Sequence, residues 1–122
     1  MILGLRTVIY RVPELAAAKV SDRNAFEVAP YFDEPYYVGF NIAGYELGLD
    51  PDPTVGAAGT GLAVAYWGVD ALERTLDRFK SLGAVVMSGL QEVGDGIKVA
   101  TIADPYGNLI GLIENPHFKL SS

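Results

Sequence analysis

The chain has 122 residues, the usual size of one domain and enough to bury a core without disulfides. It contains no cysteine, which excludes disulfides and a thiol nucleophile. Together with an N-terminus that has no basic region followed by a long apolar segment, this predicts a cytoplasmic protein. The net charge of −6 disfavours nucleic acid as a partner. No apolar run approaches the roughly 18 residues that a membrane-spanning helix needs, so no membrane is expected either.

The acidic charge is concentrated in one part of the chain. No lysine or arginine lies between Arg23 and Arg74, whereas eight acidic residues and a series of tyrosine, phenylalanine and tryptophan side chains do. Such a surface would attract a cationic, partly flat ligand through charge and cation–π contact. The simpler account is a solvated acidic face that aids solubility. The mean hydropathy of +0.24 is high for a small domain and predicts a homodimer that covers apolar surface.

The first half of the chain reads as a strand, a helix and three further strands. A β-branched and aromatic run stops at Pro13, which suits the first turn of a helix, and the next segment is rich in alanine. Ala43 and Gly44 form a turn between the last two strands. The predicted elements are a strand at Leu5–Val12, a helix at Glu14–Ala25, and strands at Pro30–Asp33, Tyr36–Ile42 and Tyr45–Asp50.

The second half repeats this order after a linker at residues 51–60, where aspartate, proline and small residues show no hydrophobic period. Asp70 followed three residues later by Glu73 predicts a capping box, and Gly83 ends the helix that follows. A hairpin turn is expected at Gly94-Asp95-Gly96. The predicted strands are Leu62–Val69, Ala84–Met87, Ile97–Ala103 and Leu109–Ile113. We therefore expect one domain, residues 1–122, with module one at 1–50 and module two at 61–122.

A turn signal precedes the last strand. In Asp104-Pro105-Tyr106-Gly107-Asn108 the proline presets φ, the glycine tolerates positive φ, and the two outer side chains can bond the turn backbone. This turn and the duplicated element order together resemble the vicinal-oxygen-chelate superfamily of glyoxalases, bleomycin resistance proteins and extradiol dioxygenases, over nearly the whole chain. The resemblance implies an α+β fold in which two βαβββ modules form a curved, cup-like mixed sheet, the glyoxalase/bleomycin resistance fold.

The resemblance also implies where metal ligands of the superfamily would stand. It places Thr7, Val64 and Gly111 at three of those positions, and Glu46 near a fourth where some members carry a carboxylate. One possible ligand of four does not hold a divalent ion, which needs three or more protein groups. We therefore expect no metal and no cofactor. The single histidine, His117, lies beyond the last strand and is expected to be a solvated surface residue.

Side chains alternate between the two faces of a strand, so residues at the parity of the implied ligand positions should line the cup. Their neighbours should form the core, and Tyr10 and Trp67 fall on that core side. The core prediction comprises Val38, Phe40, Ile42, Leu47, Leu49, Ile110 and Leu112. The predicted ligand-binding residues, a mixed apolar and polar lining typical of a small-molecule pocket, are Thr7, Ile9, Tyr37, Asn41, Glu46, Val64, Tyr66, Thr101 and Gly111.

The expected function is metal-free binding of a small molecule, possibly a cationic aromatic one, by a glyoxalase/bleomycin-resistance-like homodimer. One alternative is a glyoxalase-like lyase, isomerase or dioxygenase-family enzyme in which Glu46 acts as the base. Another is a non-catalytic interaction subunit that uses the acidic face for contact. Because fold does not fix function, the sequence leaves all three open.

Overall fold

The computed structural model describes residues 1–52, 63–104 and 108–118. Its elements follow the order β-α-β-β-β twice, which confirms the predicted α+β class built from two βαβββ modules. No helix in these ranges has the length and apolar character needed to cross a bilayer. The element bounds are β1 Ile2–Arg11, α1 Leu15–Phe26, β2 Phe32–Glu34, β3 Tyr37–Ile42, β4 Tyr45–Asp50, β5 Val64–Val69, α2 Leu72–Ser81, β6 Val85–Glu92, β7 Lys98–Ala103 and β8 Leu109–Glu114.

The chain forms two compact units. The first unit is Thr7–Val64, and the second unit is Met1–Arg6 together with Ala65–Phe118. Most of the predicted linker, residues 53–60, lies outside the described residues, as do positions 105–107 of the predicted closing turn. One of the two side-chain bonds predicted at the ends of that turn is present, because the Asn108 backbone N–H donates to Asp104 Oδ1 at 2.9 Å. The Asn108 side chain donates to Asp104 Oδ2 at 3.0 Å and not to the backbone.

In the first unit, the strands lie in the order β2-β3-β4-β1, with β1 parallel to β4 and the other pairs antiparallel. One face of this sheet is apolar and packs against α1, as the alternation of side chains predicts. Its buried residues are Val38, Phe40, Leu47 and Leu49, and the residues packed around them include Leu15 and Ala18 of the helix. The opposite face of the strands carries the polar residues that the sequence singled out.

The second unit has the strand order β5-β8-β7-β6, with β5 parallel to β8. Its core consists of Val69, Leu72, Leu76, Ala100, Ile102 and Leu112. Strand β6 continues to Glu92, five residues past its predicted end. Its pairing with β7 shifts register twice, between Val86 and Ser88 and between Ser88 and Gln91. The predicted hairpin turn is present, and all three of its residues have positive φ.

The predicted burial of Tyr10 and Trp67 is wrong. Tyr10 is 45% exposed and Trp67 is 40% exposed. Helix α1 packs on β3 and β4, and α2 packs on β6, β7 and β8. This cover leaves the side chains of Tyr10 on β1 and Trp67 on β5 partly open to solvent. Alternation therefore predicted the correct face but not how far each helix covers it.

The predicted capping box at α2 is also wrong. The helix begins one residue later than that motif requires, with Ala71 at the N-cap position and no side-chain cap from it. Asp70 pairs instead with the Met1 amino group at 2.9 Å, and Glu73 pairs with Lys98 at 3.6 Å. The helix is capped from a distant strand, because the Leu72 N–H donates to Glu114 Oε1 at 2.8 Å. A carboxylate at this position satisfies one free N–H and opposes the positive end of the helix dipole.

Replacing this distant cap should destabilise the protein. Because the Leu72 N–H is part-buried and would lose its acceptor, we expect Glu114→Ala to lower the free energy of unfolding by about 1 kcal/mol. Urea denaturation monitored by circular dichroism measures the change. Glu92→Ala, at the exposed end of β6, is the control and should have a smaller effect. A larger loss from Glu73→Ala than from Glu114→Ala would contradict the assignment and restore the capping box.

Candidate functional site

The polar face of the first unit is organised around the Glu46 carboxylate. Its Oε1 accepts hydrogen bonds from the Tyr37 hydroxyl at 2.8 Å and from Thr7 Oγ1 at 3.3 Å, and its Oε2 accepts one from the Tyr31 hydroxyl. We call these four residues the Glu46 cluster. Thr7 is buried, Glu46 and Tyr37 are half-buried, and Tyr31 is 62% exposed. The cluster therefore extends from a buried hydroxyl, that of Thr7, to a solvent-exposed one, that of Tyr31.

Strand pairing explains why these side chains meet. In the parallel pair of β1 and β4, Thr7 stands directly beside Glu46, and side chains at paired positions share a face. Tyr37 belongs to β3, the other neighbour of β4. Tyr31 precedes β2 and is held by its backbone N–H, which donates to the Gly39 carbonyl at 3.0 Å. Three strands and one short connection thus supply the four members of the cluster.

Two glycines leave the space that the cluster occupies. Gly39 of β3 and Gly48 of β4 are cross-strand partners, and both are buried. A Cβ atom on Gly39 would stand 2.7 Å from Glu46 Oε2 and 3.1 Å from the Tyr31 ring. A Cβ atom on Gly48 would overlap the Tyr37 hydroxyl. The Tyr37 side chain therefore lies over Gly48, and larger residues at either glycine would displace a member of the cluster.

The cluster holds its tyrosines in the neutral form. Burial raises the pKa of Tyr37, and the charge of Glu46 and the hydrogen bond to it raise it further. Burial likewise raises the pKa of Tyr31, and the hydrogen bond to Glu46 and the charge of that carboxylate raise it further. Both hydroxyls therefore remain protonated donors well above neutral pH. They orient the carboxylate without cancelling its charge.

The structure brings together part of the predicted ligand-binding set. Thr7, Tyr37 and Glu46 belong to the cluster, and Ile9 lies on the same face, in register with Gly48. Asn41 is paired with Glu46 in the ladder, but its side-chain oxygen accepts from the Gly44 N–H at 2.8 Å and serves the β3–β4 turn. Positive φ at Ala43 and Gly44 identifies this as the kind of tight hairpin turn that the sequence predicted.

The other predicted residues lie mostly in the second unit. Tyr66, Gly111 and Thr101 occupy one row across β5, β8 and β7. The Tyr66 ring lies over Gly111, since a Cβ atom there would stand 2.6 Å from the ring. Val64 is 1% exposed at the start of β5. Tyr66, Gly111 and Thr101 thus form a second group in the other unit, whereas Val64 is the last residue of the first unit.

Sequence reasoning missed Tyr31, which supplies one of the three donors to Glu46. The predicted strand at Pro30–Asp33 contains Tyr31, but no face was assigned to the residues of that short strand. In the structure, β2 begins later, at Phe32, so Tyr31 precedes it. The available signal was its position in the aromatic and acidic interval, directly after Pro30. Alternation within a strand does select one further residue that the prediction left out, Arg11, which is two positions beyond Ile9 on β1.

The described donor set does not fit a divalent metal. Residues 1–52, 63–104 and 108–118 contain no group of three or more His, Cys, Asp or Glu side chains that could hold one. At the position implied for a ligand, Glu46 is bonded by three hydroxyls, two of them phenolic and kept protonated. His117 stands in the second unit, where its Nε2 is 2.8 Å from the Asp95 carbonyl oxygen. No step that uses a metal can be derived from these residues.

Several solved structures share this fold. A variant of Streptomyces coelicolor methylmalonyl-CoA epimerase in complex with 2-nitronate-propionyl-CoA gives a TM-score of 0.78 at 13% identity, covering 95% of this chain and 99% of that one. A hypothetical protein from Bacillus halodurans C-125 gives 0.76 at 14% identity, with 94% and 96% covered. A glyoxalase/bleomycin resistance protein/dioxygenase superfamily member from Vibrio splendidus 12B01 gives 0.71 at 14% identity, with 91% and 99% covered. At these identities the likeness concerns the fold alone.

Sequence comparison identifies the family. No curated protein matches the chain significantly. The family model described as Glyoxalase/Bleomycin resistance protein/Dioxygenase superfamily matches residues 7–112, which is most of the chain and includes the whole Glu46 cluster. The element order and the solved structures agree with this match. The chain therefore belongs to the glyoxalase/bleomycin resistance protein/dioxygenase superfamily.

Proposed function

We propose that this protein binds a small cationic molecule at the Glu46 cluster without the help of a metal. The observation that carries the proposal is a half-buried carboxylate oriented by three neutral hydroxyls, one of them a solvent-exposed tyrosine. Preoriented acceptors of this kind recognise a ligand without a further cost for ordering the site. The aromatic rings of Tyr31 and Tyr37 beside the carboxylate add a surface for cation–π contact.

The charge of the first unit supports a cationic ligand. Glu46 forms no ion pair with any lysine or arginine in the described ranges. Residues 7–64 contain eight acidic side chains and three basic ones. One of those bases, Lys19, is already paired with Asp33 at 3.0 Å. A ligand ammonium would therefore approach a negative field and find an acceptor whose charge is still uncompensated.

The bonding of Glu46 favours recognition over proton abstraction. A carboxylate has roughly four acceptor positions, and three hydroxyls occupy most of them. One further N–H donor fits this arrangement well. A general base would instead take up a proton at that position, which removes the negative charge that the three hydroxyl donors bond most strongly. The lyase or isomerase alternative would therefore weaken the three hydrogen bonds, whereas a bound ammonium group leaves the carboxylate charged.

Calorimetric titration with a matched pair of aromatic ions tests the proposal. We expect benzylammonium to bind and benzoate not to bind. We also expect the affinity for benzylammonium to fall as the salt concentration is raised, because salt screens the attraction of the acidic residues. Glu46→Gln should weaken binding about tenfold, the loss of one charge-assisted hydrogen bond. Glu14→Gln is the control, because it removes the same charge from the first unit but next to α1, on the opposite side of the sheet. It should change the affinity by less than about twofold.

Two outcomes would overturn this proposal. Tighter binding of benzoate than of benzylammonium would mean that the acidic field does not select the ligand. Equal losses from Glu46→Gln and Glu14→Gln would mean that only the overall charge matters and that the Glu46 cluster is not the site. Circular dichroism spectra and melting curves of both variants establish that each is folded before the affinities are compared.

The raised pKa values of Tyr31 and Tyr37 give a second test that needs no ligand. Tyrosine ordinarily ionises near pH 10, so a spectrophotometric titration of the seven tyrosines should show a component that ionises later. Their contribution to stability is complete below the unfolded pKa and is lost as pH rises above about 10. Glu46→Gln removes the negative neighbour, so both hydroxyls should ionise at lower pH than in the wild type. An unchanged titration curve in that variant would contradict the hydrogen-bond assignments.

A third test changes the shape of the site and leaves its polar groups in place. We expect Gly48→Ala to weaken benzylammonium binding about tenfold and to lower the free energy of unfolding by about 1–3 kcal/mol, because the added methyl group displaces the Tyr37 hydroxyl. Gly89→Ala in β6 is the control, since a Cβ atom there meets nothing within 4 Å. Wild-type affinity in Gly48→Ala would exclude the Tyr37 position from the site.

A further inference from the structure

Arg11, the last residue of β1, carries a polar group that the proposed function does not use. Its side chain is half-buried, and its Nε is buried without a hydrogen-bond partner among the described residues. No acidic residue forms an ion pair with it in those ranges. A buried donor without a partner is costly, and native structures leave few of them. The position therefore calls for an acceptor.

The acid beside Arg11 in the sheet does not meet this need. Arg11 and Asp50 are partners in the parallel pair of β1 and β4. The Asp50 carboxylate accepts the Asp52 backbone N–H at 2.9 Å instead, within its own loop. Among the described residues, Arg11 Nε thus remains without an acceptor, at one end of a strand whose other positions belong to the candidate site.

Arg11 leaves β1 on the same face as the Glu46 cluster. Thr7, Ile9 and Arg11 alternate onto one side of β1 and stand in register with Glu46, Gly48 and Asp50 of β4. The four residues from Thr7 to Arg11 span about 13 Å along the strand. Between the two ends lie Ile9 and the Tyr37 side chain over Gly48, an apolar and aromatic stretch. The face therefore presents the Glu46 carboxylate at one end, an apolar middle, and the Arg11 guanidinium with the Asp50 carboxylate beside it at the other end.

We propose that the natural ligand is zwitterionic, with an ammonium group that binds Glu46 and a carboxylate about 10–13 Å away that binds the Arg11 guanidinium. This inference rests on the proposed function and narrows its ligand class. The planar guanidinium suits a carboxylate because it offers two parallel N–H donors, and Nε is one of the atoms that such a pair uses. The apolar middle suits a flat aromatic spacer, which Tyr37 and Ile9 can contact.

A series of rigid biphenyl compounds tests the inference by calorimetry. The first carries an aminomethyl group at one end and a carboxylate at the other, the second carries only the aminomethyl group, and the third carries only the carboxylate. A fourth compound, a single-ring aminomethyl benzoate, has both charges but is too short to span the two sites. We expect the first compound to bind about tenfold tighter than the second, and the fourth to gain nothing from its carboxylate.

Substitutions at Arg11 assign the gain to one residue. Arg11→Gln should abolish the tenfold advantage of the first compound and leave the affinity for the second within about twofold. Arg11→Lys keeps the charge but loses the paired donors, so it should retain only part of the advantage. Arg23→Gln removes the same charge from the last turn of α1 and should preserve the full advantage. Melting curves establish whether each variant is folded. If Arg11→Gln does not fold, the partial loss expected of Arg11→Lys tests the inference in its place.

The outcomes separate this inference from the proposed function. If the first and second compounds bind equally well, the carboxylate finds no partner and the inference fails, while cation binding at Glu46 stands. If Arg23→Gln abolishes the advantage as completely as Arg11→Gln, the effect is one of overall charge and the inference also fails. If none of the compounds that carry an ammonium group binds, both the inference and the proposed function fail.

Discussion

The parallel pairing of β1 with β4 is the constraint on which the first unit depends. It sets Thr7 beside Glu46 and Arg11 beside Asp50, so one register determines both the hydroxyl bonded to the central carboxylate and the charge at the far end of the same face. Parallel strands require a crossover, and here α1, β2 and β3 lie between the paired strands in sequence. The helix covers the apolar face of the sheet and leaves the polar face to the cluster.

The second requirement is that tyrosine side chains lie directly against the sheet backbone, and glycines make this possible in both units. At Gly39 and Gly48 the missing side chains make room for Tyr31, Tyr37 and Glu46. At Gly111 the missing side chain makes room for the Tyr66 ring. The resemblance assigned Gly111 to a metal-ligand position, and the structure shows an aromatic ring over it. At this position, the Tyr66 ring therefore occupies the space into which a side-chain ligand would otherwise project.

Periodicity and turn residues predicted most of the fold. Strand β4 has its predicted bounds, and the turns at Ala43-Gly44 and Gly94-Asp95-Gly96 were found because these residues tolerate positive φ. Interactions between residues distant in sequence were not predictable in the same way. The cap of α2 by Glu114 was missed because Asp70 and Glu73 offered a local alternative. Tyr31 was missed because no face was assigned to the short predicted strand that contains it. Alternation predicted that Thr7 and Glu46 share a face. It could not show that two tyrosines bond the carboxylate, because that contact depends on how strands distant in sequence pair.

The Glu114 cap has a consequence for how β8 finds its place in the second unit. Its carboxylate meets the first turn of α2 only when β8 is aligned with β7 so that Lys98 opposes Glu114. A slip of one residue would turn the Glu114 side chain to the other face and leave the Leu72 N–H without its acceptor. The same slip would move Gly111 from beneath Tyr66 and place a larger residue there. The cap and the glycine thus fix the register of β8 together, because two unrelated contacts, one at the end of the strand and one near its middle, exclude the same misalignment.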